Sequence, residues 1–243
     1  MCSFRIRAFM LSFFILSASI GFCAGQDFKS QDELGRWLTG YYQKPEPERI
    51  SPALKYLSDT PLIESNAVMP TVAFFSALLK KDNAILKSVF DDVALNGSEN
   101  AKVMLVNVLS LMNTPESKAL LEEARNTWES QRLQAIVKQQ ITKPHPSLDT
   151  APIDSPQVLD MLWGTFFATG DEAPVKKIIS VIHLEKDGHE GEIMLGGAAN
   201  WSLASNARQY PRVLEICKKE AVAAQGPTKE LLEKIIKGAS VAK

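Results

Sequence analysis

Cysteine and histidine are both scarce in this chain, at three of each among 243 residues. Zinc sites and many acid–base sites are built from these two types, so few of them can be assembled here. No stretch matches G-x-S-x-G, H-E-x-x-H, a Walker loop or a dinucleotide fingerprint, so the hydrolase-elbow, metalloprotease and nucleotide-binding readings lack their minimal parts. Positive charge is neither in excess nor blocked. The formal net charge is −1, with Lys and Arg scattered, which leaves no basic field to attract nucleic acid or anionic lipid. No apolar run reaches the ~20 residues that a bilayer-spanning helix needs. Strand-like alternation does not persist anywhere.

What is present begins at the amino terminus. Arg5 and Arg7 precede the apolar run from Ala8 to Ile20, and small residues follow at Ala24 and Gly25. That order of charge, apolar core and small residues is the pattern of a secretory signal peptide covering residues 1–25, and it predicts a chain exported to a periplasm or the exterior. Cleavage after Gly25 is the expected cut. Retention of Cys23 as an acylated first residue is the alternative, although Phe22 puts an aromatic where such signals carry a small side chain. Removing Arg5 and Arg7 would take the formal charge from −1 to −3. The exported chain would keep Cys217 as its one thiol, so no internal disulfide could brace it. Cys217 shares an apolar helix face with Val213 and Leu214, which predicts a buried, unreactive thiol.

The remainder reads as a procession of amphipathic helices. Leu34, Trp37, Leu38, Tyr41 and Tyr42 recur at helical spacing, as do Ile85, Leu86, Val89, Phe90 and Val93, then Leu120, Leu121, Ala124 and Trp128. Val158 to Phe167 forms a wide stripe, with a turn at Gly170 and a second stripe through Val175, Ile178, Ile179 and Ile182. Two adjoining stripes predict an antiparallel pair. Val103 to Met112 is apolar on nearly every side and predicts a central helix. Thr114 with Pro115, and Ser155 with Pro156, are cap and first-turn pairs. Gly226 with Pro227 sets off a last helix from Thr228 to Lys237.

Prolines 144, 146, 152 and 156 exclude a continuous helix from Thr142 to Pro156. This stretch is read as a Pro-rich linker, 142–156, between a first helical half, 26–141, and a second, 157–243. At a fixed offset of ninety-two residues Phe74 and Phe75 fall on Phe166 and Phe167, Ser88 and Val89 on Ser180 and Val181, and Ser110 and Leu111 on Ser202 and Leu203. The offset motivates a duplicated four-helix unit. Stacked helix pairs of this length resemble the α-solenoid class of tetratricopeptide and HEAT-like repeats over Leu34 to Ile236. Trp37, Leu38, Gly40 and Tyr41 share the residue types of a tetratricopeptide signature but not its spacing. The resemblance implies an all-α fold of stacked antiparallel helix pairs.

One segment concentrates possible metal ligands: His183, Glu185, Asp187, His189, Glu190 and Glu192. Lys186 and Gly188 among them, and the lack of an i, i+4 ligand pair, favour a solvated interhelix loop. His145 lies between linker prolines. Gly196 and Gly197 interrupt the apolar helical stretch Ile193 to Ala204 and read as points of close helix packing. Asn96-Gly97-Ser98 and Asn200-Trp201-Ser202 have the form of glycosylation acceptors, the second on a helix expected to be buried. No catalytic, cofactor or metal residue is assigned. The predicted function is an exported helical scaffold that binds a protein or peptide partner. The alternative is a secreted or periplasmic enzyme whose site is gathered from dispersed residues.

Overall fold

The structure is a computed structural model, and it describes residues 27–61, 68–143 and 147–240. The proposed signal segment and Pro144 to Pro146, His145 included, lie outside the described residues. All regular structure among the described residues is helical. The first eight elements are α1 (Gln31–Gly40), a 3₁₀ turn (Pro47–Arg49), α2 (Ile50–Ser58), α3 (Met69–Leu79), α4 (Asn83–Asn96), α5 (Glu99–Met112), α6 (Pro115–Thr127) and α7 (Gln131–Thr142). After the connection come α8 (Pro156–Thr169), α9 (Glu172–Ile179), the single turn α10 (Leu184–Asp187), α11 (Glu190–Gln209), α12 (Pro211–Ala223) and α13 (Gly226–Ser240).

Local chemistry sets most of these boundaries. Each helix leaves its first amides without intrahelical acceptors, and ahead of α1, α4, α5, α6 and α7 a Ser, Thr or Asp side chain supplies one. Ser30 Oγ accepts from the Glu33 amide at 3.1 Å, Asp82 from Ala84 and Ile85 at 2.8 and 3.1 Å, and Ser98 from Ala101 at 3.2 Å. At Thr114 the cap is reciprocal: Thr114 Oγ1 accepts from the Ser117 amide at 3.2 Å and Ser117 Oγ from the Thr114 amide at 3.0 Å. Ser155 stands ahead of α8 but makes no capping bond, and Pro156 alone marks that start. Gly170 ends α8 at φ 69°, in the left-handed region where a side chain would be strained. The last helix is longer than its punctuation implies, opening on Gly226 at φ 55° and running to Ser240.

The expected stripes are buried, and they form two cores. Trp37, Phe74, Phe75, Phe90, Leu105 and Leu109 belong to the first, which draws on α1 to α7. Phe166, Ile178, Leu203, Val213, Cys217 and Leu232 belong to the second, built from α8 to α13. Met104, Leu105, Val106, Val108 and Leu109 of α5 are fully buried, since α2, α3, α4, α6 and α7 all pack against that helix. The two cores are not separate bodies. Helix α8 lies along α3, Ala168 of α8 is part of the first core, and Phe167 packs against both. The Tyr42 amide donates to the Phe167 carbonyl at 3.2 Å across the same seam. The approach is close because Gly164 has no side chain: a Cβ there would stand 2.1 Å from the Pro70 carbonyl oxygen.

Helix neighbours repeat between the halves. The packing pairs α3 with α4, α3 with α5, α4 with α5, α4 with α6, α5 with α6, α5 with α7 and α6 with α7 recur as α8 with α9, α8 with α11, α9 with α11, α9 with α12, α11 with α12, α11 with α13 and α12 with α13. The matching pairs involve α3 to α7 in the first half and α8, α9, α11, α12 and α13 in the second. At the constant offset of ninety-two, Phe74 and Phe166 are both buried, but burial differs at other matched positions. Phe75, Val89 and Ser110 are buried where Phe167, Val181 and Ser202 are only half-buried, and Leu111 is half-buried where Leu203 is buried. Burial matches at other offsets instead: Leu86, Val89, Phe90 and Val93 of α4 correspond to Val175, Ile178, Ile179 and Ile182, eighty-nine residues on. Leu120, Leu121 and Ala124 of α6 correspond to Val213, Leu214 and Cys217, ninety-three residues on.

Candidate functional site

The histidine and carboxylate segment is pulled apart by the helices that contain it. His183 immediately precedes α10, and Glu185 on α10 accepts from Asn200 Nδ2 of α11 at 2.6 Å. Lys186 pairs with Glu230 of α13, and Glu192 accepts the His189 amide at 2.9 Å at the start of α11. Glu185 thus serves helix packing and Glu192 a helix end. Among the described residues no group of three or more His, Cys, Asp or Glu side chains is placed to hold a metal ion.

The paired glycines divide in role. Gly196 is where α10 crosses α11, and a Cβ there would meet the Glu185 nitrogen at 2.2 Å, as close packing requires. Gly197 faces open space, with nothing within 4 Å of a Cβ. Asn96 is exposed at the end of α4 and donates to Asp92 at 2.8 Å. Cys217 is fully buried, and that burial pushes its thiol pKa up to about 12, so thiolate is absent at neutral pH.

Cavities open on the surface of the described residues. One of about 590 Å³ lies among α5, α6 and the end of α7, with Lys118, Glu122 and Lys143 at its polar margin. A second, about 430 Å³, follows the seam between α3 and α8 and is bordered by Lys80, Asp149 and the Lys81–Asp171 ion pair of 3.1 Å. The third, about 240 Å³, is walled by Leu38, Phe74, Trp163 and Phe167. Asp160 stands at its edge, solvent-exposed in part, yet desolvated enough that its carboxyl pKa is raised. The interior itself is sparing of polar groups. Ser58, Ser76, Ser110 and Ser117 are the buried polar residues described, and each hydroxyl is bonded: Ser58 to the Lys55 carbonyl, Ser76 to the Val108 carbonyl, Ser110 to Gln140 and Ser117 to the Thr114 carbonyl.

The outstanding surface is the outward face of α11. Met194 and Trp201 are 76% and 74% exposed, and Ile193 is 43% exposed. Met194 and Trp201 are seven residues apart and so share one face, with Gly197, Ala198 and Ser205 between and beyond them. The opposite face, through Leu195, Ala199, Leu203 and Ala207, is buried against the second core. This corrects the expectation that the helix around Asn200 is buried: Asn200 is half-buried and Trp201 stands in solvent. In the first half α5 is covered by α2 as well as by its repeat neighbours, whereas the extra neighbour of α11 is the single turn α10, which packs at Gly196 and Asn200 and not over Met194 or Trp201. Sequence reading missed this face because Ile193 to Ala204 has apolar residues all round, which is the ordinary mark of a buried helix. The available clue was the pair Met194 and Trp201, which lies off the Leu195, Ala199, Leu203 stripe. The chain matches no known family model, no curated protein and no solved structure.

Proposed function

We propose that this protein is an exported helical scaffold that binds another polypeptide through the outward face of α11. One observation carries the reading: a Trp and a Met, each about three-quarters exposed, stand together on a helix whose other face is fully engaged. Exposed large apolar side chains grouped on one element mark association surfaces, and Trp and Met are among the residues that interfaces favour. Trp128, Trp37 and Trp163 are each 6% exposed, so Trp201 is the exception among four. Export rests on the order of charges, apolar run and small residues in 1–25. Among the described residues no helix is long and apolar enough to cross a membrane, which fits a chain free of the bilayer once such a signal is removed.

The test is a photoreactive amino acid placed at position 201 in the producing cell. A protein adduct at that position, lost when Met194→Lys is introduced in the same chain, is the expected result. Absence of any protein adduct, or one indifferent to Met194, would overturn the binding reading. Mass spectrometry of the mature protein is expected to find a start near Gln26, and an intact Met1 would overturn export.

A further inference from the structure

We infer that the polypeptide received by this face is a second copy of the same chain, with the two α11 helices packed antiparallel about a two-fold axis near residue 199. The inference rests on the binding reading above and adds the identity of the partner. In a two-fold interface of this kind, residue i of one copy meets residue j of the other, and j meets i. For antiparallel helices the paired numbers share a midpoint.

Around residue 199 the face of α11 complements itself in size. Trp201 falls opposite Gly197, where a Cβ would have nothing within 4 Å, so the space is open on one copy for the indole of the other. Met194 falls opposite Ala204. In each pair a large side chain meets a small one, as close helix packing at about 8–10 Å between axes requires.

The face complements itself in charge about the same midpoint. Glu190 falls opposite Arg208, and both are exposed. They are eighteen residues apart, or about five turns at 3.6 residues per turn, so they share the face that carries Trp201. Neither has an ion-pair partner among the described residues, although nearby Lys186, Arg212 and Lys219 are all paired. The two-fold would give each Glu190 an Arg208 of the other copy, at both ends of a contact about 27 Å long. Exposed pairs add little affinity but fix orientation, and here they select the antiparallel arrangement over the parallel one, which sets like charges together.

Sedimentation velocity of the mature protein over about 1 µM to 1 mM tests this. A reversible dimer is expected, with Trp201 emission shifting to the blue as it forms. Trp201→Ala and Gly197→Leu should each weaken association by about tenfold or more. Glu190→Arg should weaken it too, because two arginines then face each other at both ends. Adding Arg208→Glu to that variant exchanges the charges and should restore association to within about threefold of the original. Thermal unfolding at micromolar concentration checks that each variant is folded. A monomer at every concentration, or a dimer indifferent to these substitutions, would overturn the inference. Failure of the double exchange to restore association would overturn the antiparallel register. A monomer that still gives an adduct with a different protein at position 201 would leave the binding reading standing and refute only the second copy.

Discussion

Gly164 and Gly35 both sit inside helices, and a methyl group added at each has opposite consequences. At Gly164 it would stand 2.1 Å from the Pro70 carbonyl oxygen, a backbone atom that cannot swing aside, so α3 and α8 would have to separate. Gly164→Ala is expected to destabilise the fold by about 2 kcal/mol, the usual scale of overpacking, in a urea titration. Gly35→Ala meets nothing within 4 Å and removes a flexible residue from α1, so it should stabilise by up to about 1 kcal/mol. Sequence alone treats the two alike, since each is a lone glycine in a helical pattern. Cys217 is the contrary case, because its apolar neighbours already indicated an inert thiol. With its pKa pushed up to about 12, native protein at pH 8 should resist iodoacetamide, and denatured protein should be labelled fully, as read by intact mass.

Among the elements, α2 is held to α4 by one carboxylate. Burial pushes the Asp92 pKa up, but hydrogen bonds from Lys55 at 2.7 Å, from Ser51 and from Asn96 at 2.8 Å outweigh it and hold the carboxyl below its ordinary value. A depressed pKa means that the folded state prefers the ionised form. Its contribution is therefore complete above the unfolded value of about 3.9 and is lost as pH falls through the lower folded value. Asp92→Ala should destabilise by about 1 kcal/mol at pH 7, a figure kept small because a third of the side chain is exposed. The difference between Asp92→Asn and the parent should shrink below pH 4 in thermal melts; a constant gap would show that charge is not involved. The helix stripes were legible because burial on one face imposes a 3.6-residue period. The partnership of Lys55, thirty-seven residues away, with Asp92 was not, because exposed-looking charges carry no periodicity that names their partners.

Taken whole, the molecule joins two repeated helix sets through α3 and α8, and this joint predicts how it unfolds. Phe167 packs against both cores and Ala168 belongs to the first, so neither half keeps its interior if the other melts. A single denaturant transition is expected, with coincident curves from circular dichroism and tryptophan emission. A nick in the connection between α7 and α8 should leave the two fragments associated under native conditions, eluting as one species; separate elution would show that the seam contributes little. The sequence by itself determined the helical class, the caps at Thr114 and the turn at Gly170, and the burial of Cys217, because each follows from interactions within a few residues along the chain. Tertiary structure decided which helices are neighbours, that the repeat holds at the level of packing partners and drifts at the level of residues, and that α11 turns Met194 and Trp201 outward. Those depend on contacts between residues far apart in the chain, and an apolar side chain reads the same in sequence whether another helix covers it or none does.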